Sequence, residues 1–254
     1  RTVLAINNGV VDLSNLNAAT RTGNSTLEFR ASGGGEIKLD RLTTVVSDSA
    51  NNFVVSVADG STIAAPMLTT LSNVSLVLSG NHQFTSGVLT DIDDGTISLS
   101  GGAQFGTTEI AATAFTNTTF AGGNQFSADG AGSLLDLSSL LQYEDTLNNS
   151  GTRTVLASNG GVVDLSNLGS VTRNAGARLQ FRAVTGGEIK LDRLTSIASG
   201  SANNLVIRVG DGGTIDAPLL ANLNNTSLIL SGNHQFTSGV LTNIDSSAIA
   251  VDAI

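Results

Sequence analysis

Apolar and polar residues alternate along Gly35-Glu36-Ile37-Lys38-Leu39 and again along Leu27-Glu28-Phe29-Arg30-Ala31, a period of two that predicts half-buried β-strands. Spacing suited to a helix face occurs only in fragments such as residues 134–141. Between the alternating runs stand Asn7-Asn8-Gly9, Gly33-Gly34-Gly35, Asp59-Gly60, Ser79-Gly80-Asn81, Gly101-Gly102 and Gly122-Gly123, residues whose backbone freedom bends a chain sharply. Short strands joined at Gly/Asn corners are the expected local structure.

The pattern recurs. Residues Gly35 to Thr43 reappear unchanged as Gly187 to Thr195. Looser forms of the pattern Gly-x-aliphatic-x-aliphatic-x-x-Leu begin at Gly9, Ser61, Ser133, Gly161 and Gly213, with weaker ones at Gly87, Thr108 and Gly239. Subtracting successive starting numbers gives intervals of 26, 26, 26, 21, 25, 28, 26, 26 and 26 residues, as when each repeat is one winding of a stack. Laid over one another, the windings put Val11, Ile37, Ile63, Leu89, Ile110, Leu135, Val163, Ile189, Ile215 and Leu241 in one column. A second column holds Leu13, Leu39, Ala65, Ala112, Leu137, Leu165, Leu191 and Ala217, and a third holds Leu16, Leu42, Leu68, Phe115, Leu140, Leu168, Leu194 and Leu220. Apolar columns at the winding period predict the interior of a parallel β-solenoid. The fold class is therefore all-β, a right-handed parallel β-helix of about ten coils, the hand following the crossover preference of parallel strands. One buried aliphatic side chain is worth about 1.5–3 kcal/mol, too little for a lone winding to offset its own ordering entropy, so the coils fold only by stacking. At about 4.8 Å per rung, ten coils make a rod of roughly 50 Å.

A longer period encloses the short one. Arg1-Thr2-Val3-Leu4-Ala5 returns as Arg153-Thr154-Val155-Leu156-Ala157, an offset of 152 (153 minus 1) that holds without insertion through Phe29/Phe181, Pro66/Pro218 and Ile92/Ile244, with roughly 60% of pairs identical. The organisation predicted is one continuous solenoid over residues 1–254, made of a first unit at 1–152 and a partial second unit at 153–254. Neither end carries an atypical polar cap, and no initiator Met or leader precedes Arg1, so the expectation is a segment of a longer repetitive protein.

Composition narrows the function classes. The net charge is −9 and only 12 Lys and Arg are present, scattered along the chain, which argues against nucleic acid as a partner. There is no cysteine, hence no disulfide or thiolate metal site, and no apolar run of about 18 residues to insert in a membrane as a helix.

Several residues are candidates for more than packing. Outward from the first two columns lie Asp12, Lys38, Asp164, Lys190 and Asp216, spaced to form opposite-charge pairs between rungs that fix register. Asp91, Asp93 and Asp94 are carboxylates dense enough to be a calcium candidate, although Gly95 falls where an EF-hand loop needs a ligand and the second unit reads Asn243-Ile244-Asp245-Ser246-Ser247. Calcium is otherwise the only cofactor in question. The identical stretch at residues 79–90 and 231–242 contains both histidines, His82 and His234, with no acid or nucleophile in a recognised catalytic pattern beside them; they read as corner residues. Phe84, Phe105 and Phe126 are spaced by 21, as are Gln83, Gln104 and Gln125, predicting a stacked ring column and an amide ladder. Tyr143, beside Glu144 and Asp145, marks a longer coil with a protruding loop. Threonine is frequent, but no Thr-x-Thr recurs at one coil position, which weighs against an ice-binding face. Glycoside chemistry needs convergent carboxylates, whereas here they are spread singly along the rod, so no catalytic residue is assigned.

The Gly-x-Ile-x-Leu-x-x-Leu repeats with Ser/Thr/Asn/Gly corners resemble the β-helical repeat regions of large bacterial secreted and surface proteins, such as autotransporter passengers and filamentous-haemagglutinin-like adhesins. The resemblance implies an exported, cell-surface stalk, adhesin or fibre subunit. Its partners would be further copies stacked end to end, a surface glycan, or a host or matrix protein. The alternative from another class is a polysaccharide-binding or polysaccharide-cleaving β-helix.

Overall fold

The computed structural model describes residues 1–252 except 50, 149, 150, 174, 175, 177 and 201–203. It contains strands and turns, with no helix among the described residues. Every strand pairing is parallel, and strands adjacent in space are one winding apart in sequence: Val3 lies beside Phe29, and Val155 beside Phe181. The predicted parallel β-solenoid is the observed architecture.

The chain winds around three faces. The first is a sheet of 11 strands that begins at Thr2–Ile6, ends at Ala248–Asp252 and runs across residue 152, with Gly123–Asp129 paired to Thr152–Ser158. The second face is made of a 4-stranded sheet starting at Val10–Asp12 and a 6-stranded sheet starting at Gln104–Phe105. The third is made of a 3-stranded sheet starting at Ala18–Arg21 and a 5-stranded sheet starting at Ala114–Asn117. Corners use the left-handed backbone that asparagine tolerates best after glycine, with φ of 52° at Asn7, 62° at Asn8 and 53° at Asn159.

The first column is buried where coils lie on both sides. Ile37, Ile63, Leu135, Val163, Ile189 and Ile215 have no exposed surface, while Val11 at the N-terminal edge is only partly covered. Its membership differs from the sequence alignment at three places. Ile63 pairs with Phe84 and Ile215 with Phe236, so these rings, not Leu89 and Leu241, continue the column. Phe105 replaces Ile110, pairing with Leu135 while Ile110 bridges Leu89. The reason is winding length. From Ile63 to Phe84 and from Ile215 to Phe236 the chain advances 21 residues (84 minus 63, 236 minus 215); these short coils omit residues from a corner, which moves Leu89 and Leu241 onto the third face, where Thr90 and Thr242 donate to the carbonyls of Thr69 and Ala221.

The leading glycine of the repeat has a steric cause. A Cβ on Gly35 would lie 2.2 Å from the Ala5 carbonyl oxygen of the previous coil, and one on Gly187 would lie 2.3 Å from that of Ala157. Where serine takes the place the hydroxyl is used: Ser61 accepts from the Gly34 amide at 3.1 Å and Ser133 from the Gly102 amide at 3.0 Å.

Candidate functional site

The outward charges on the second face sit in register as the strand pattern requires, with Asp12 beside Lys38, and Asp164 beside Lys190 beside Asp216. Their contacts differ between units. Lys190 pairs with Asp164 at 3.5 Å, whereas Lys38 lies 4.0 Å from Glu36 on its own strand. Asp12 accepts from the hydroxyl and amide of Ser14, and these bonds, more than Lys38, hold its carboxyl below the usual range.

Asp91, Asp93 and Asp94 do not assemble as a calcium site. Their oxygens cap backbone instead: Asp91 accepts from the Asp93 amide at 3.0 Å and Asp93 from the Thr116 amide at 2.7 Å. Asp94 accepts from the amides of Thr118 and Thr119 and from the Thr118 hydroxyl. Asp93 and Asp94 together cap three N–H groups of the next coil, those of Thr116, Thr118 and Thr119, and among the described residues no group of three or more His, Asp or Glu converges for a metal. Burial raises the pKa of Asp93 against the opposing Thr116 bond, with Asp91 and Asp94 adding to the rise.

His82 is half-buried with Nδ1 3.3 Å from the Gly80 carbonyl oxygen, and His234 repeats the contact with Gly232 at 2.9 Å. Burial lowers the pKa of His82 more than Gly80 and Glu109 raise it. Both are corner residues. The ring column is shorter than its spacing implied: Phe84 and Phe105 pack at 5.6 Å, but Phe126 belongs to the long sheet and packs on Phe115 at 4.8 Å. Gln125 is likewise buried, donating to the Gly95 carbonyl, while Gln83 and Gln104 are exposed. A longer coil of 30 residues between Phe105 and Leu135 (135 minus 105) breaks the register of 21.

Sequence reasoning missed the most elaborate polar group. Tyr143 and Asp145 do not protrude; both face inward and are buried. Asp145 takes a bidentate pair from Arg153, Nε at 2.7 Å and an outer nitrogen at 3.0 Å, and Arg173 Nε lies 3.4 Å from the same carboxylate. Asn117 donates to Asp145 at 3.0 Å. The outer guanidinium nitrogens of Arg153 and Arg173 both donate to the Leu147 carbonyl at 3.1 Å, and Arg173 also to the Asp145 carbonyl at 3.0 Å. Burial pulls the Arg173 pKa down while Asp145 opposes it, and burial followed by Asp145 lifts Tyr143 well above its ordinary 10.0. The phase of alternation carried the signal: in Gln142-Tyr143-Glu144-Asp145 the tyrosine and the aspartate share one face, and an aromatic ring that size is seldom left outside. Asp145, Arg153, Arg173 and Asn117 are occupied with one another inside the rod and hold coils together, while the buried Tyr143 hydroxyl has no hydrogen-bond partner.

The chain matches no protein-family model, no curated protein and no solved structure.

Proposed function

We propose that this chain is a structural rod, an exported stalk, adhesin or fibre segment that displays surface side chains at fixed intervals and stacks through its ends. The observation that carries the reading is the 11-stranded parallel ladder, in which the partial second unit follows the first without a break. Rungs at about 4.8 Å give a body near 50 Å long, and any rung at the edge of such a ladder is a row of backbone groups able to pair with a further strand. A head-to-tail contact of that kind propagates instead of closing. Negative-stain electron microscopy of the purified chain tests this: rods and linear filaments are expected, and compact particles with no axial association at any concentration would contradict it.

A second reading, acidic-polysaccharide binding, draws on one observation. Arg182 and Arg208 are rung neighbours on the outer face of the long sheet, where the first unit has Arg30 beside Ser56. Two adjacent guanidiniums suit a carboxylate or sulfate.

A further inference from the structure

We propose that the outward face of the long sheet in the second unit binds a sulfated polysaccharide, with Arg182 and Arg208 holding one sulfate ester and Arg178 a second one further along the same strand. The proposal rests on the acidic-polysaccharide reading above and adds the acid group, a third arginine and the restriction to one unit.

The offset of 152 lets this surface be compared between the units position by position. Thr26 becomes Arg178 (26 plus 152), Glu28 becomes Gln180 (28 plus 152) and Ser56 becomes Arg208 (56 plus 152), while Arg30 is kept as Arg182 (30 plus 152). Each of the three exchanges raises the local charge by one, in a chain whose net charge is −9. Arg178, Gln180 and Arg182 alternate with the buried Leu179, Phe181 and Ala183, and Arg208 stands between the buried Ile207 and Val209, so all four face out from the core. Arg182 and Arg208 are rung partners, about 4.8 Å apart at the backbone, and Arg178 lies about 13 Å along the strand from Arg182.

Nothing in the protein neutralises the pair. Among the described residues neither side chain forms an ion pair or a side-chain hydrogen bond, and the Arg182 Nε is buried without an acceptor. Their outer rung partners, Leu156 and Ile229, and the adjoining Gln180 and Val206 carry no charge. Like charges side by side on a sheet repel, and a bound anion removes that cost.

The choice of sulfate follows from counting oxygens. Inside the rod, the Asp145 carboxylate takes the Arg153 fork at both oxygens, and Arg173, 3.4 Å away, is completed by the backbone carbonyls of Asp145 and Leu147. At Arg182 and Arg208 the strand carbonyls are committed to the ladder. Two adjacent guanidinium forks there call for an anion with more than two oxygens, and a sulfate ester has three. A polymer, not a free ion, suits the remaining features: Arg178 meets a second ester, and the partly exposed Leu156 and Ile229 offer apolar surface to a sugar ring.

The test is calorimetric titration of the 254-residue chain with short dextran sulfate, unsulfated dextran and polygalacturonate. One site per chain is expected for dextran sulfate, none for dextran, and binding at least about tenfold weaker for polygalacturonate, as when a charged hydrogen bond is lost. Arg178→Thr, Gln180→Glu and Arg208→Ser each restore a residue that the first unit already accommodates. Each is expected to weaken binding by about tenfold with the urea midpoint unchanged, and the three together to abolish it. Glu28→Gln combined with Ser56→Arg is expected to create a second site in the first unit. Binding that survives the triple reversion, a count that stays at one in the double variant, or displacement by inorganic sulfate at matched sulfate concentration would overturn the proposal. Polygalacturonate binding as tightly as dextran sulfate, and lost in Arg208→Ser, would overturn the choice of sulfate and leave the acidic-polysaccharide reading standing; binding of neither polymer would sink both.

Discussion

Asp145 is the residue on which the most interactions converge. It is fully buried, as are Arg153 and Asn117, and Arg173 is nearly so, and removing one partner of such a group strands the others in a low-dielectric interior. Asp145→Asn is expected to destabilise the chain by about 3–5 kcal/mol, seen as a lower midpoint in urea; a change under about 0.5 kcal/mol, within the ordinary scatter of surface substitutions, would show the cluster is not holding the coils. Asp93 behaves in the opposite sense. Burial raises its pKa from the ordinary 3.8, so the folded chain keeps the proton to higher pH than the unfolded one. Its contribution to stability is therefore full below about pH 4 and is lost as pH rises through the raised value. Asp93→Asn retains an oxygen for the Thr116 amide and removes the ionisation, so the variant is expected to gain stability over the parent at pH 7 and to lose that advantage below about pH 4; thermal melts across this range check it. Neither role was legible from residue type alone. Acidic residues near turns look solvated in a sequence, and only the inward phase shared by Tyr143 and Asp145 distinguished that aspartate from the rest.

At the scale of the single winding, the repeat was legible because its causes are local. A glycine stands where the previous coil's carbonyl leaves no space for a Cβ, and aliphatics at alternate positions fill the interior. Gly187→Ala places a methyl group against the Ala157 carbonyl, and overpacking of this kind costs about 1–3 kcal/mol. A loss of that size in denaturant unfolding is expected, and an unchanged midpoint would mean the coils have slack that the structure denies. What could not be read was the length of each winding. Leu89, Ile110 and Leu241 have the right chemistry for the first column, but the places went to Phe84, Phe105 and Phe236. An apolar residue five positions away satisfies the pattern equally well, and which one turns inward at a given rung depends on how many residues the corner holds.

At the scale of the whole molecule, stability is a sum over windings and the contacts between neighbours, and nearly all pairing is between residues some 21 to 30 positions apart, as in Ile63 with Phe84 and Phe105 with Leu135. The 152-residue offset preserves that pairing from one unit to the next, so the second unit continues the first ladder in place of starting a new body. Positions of one phase on the long sheet form a single file: Arg30, Ser56, Val77, Ser98, Ser127, Leu156, Arg182 and Arg208 are successive rung partners. Distances along that file are therefore set by rung count. Pulsed electron paramagnetic resonance on chains spin-labelled at residue 208 and at either 56 or 30 measures this directly. Six rungs separate the first pair and seven the second, so the account predicts narrow distributions centred near about 29 Å and about 34 Å before allowance for the label, differing by one rung. Equal distances, a reversed order, or a broad distribution spanning both would contradict a single parallel stack running through the two units.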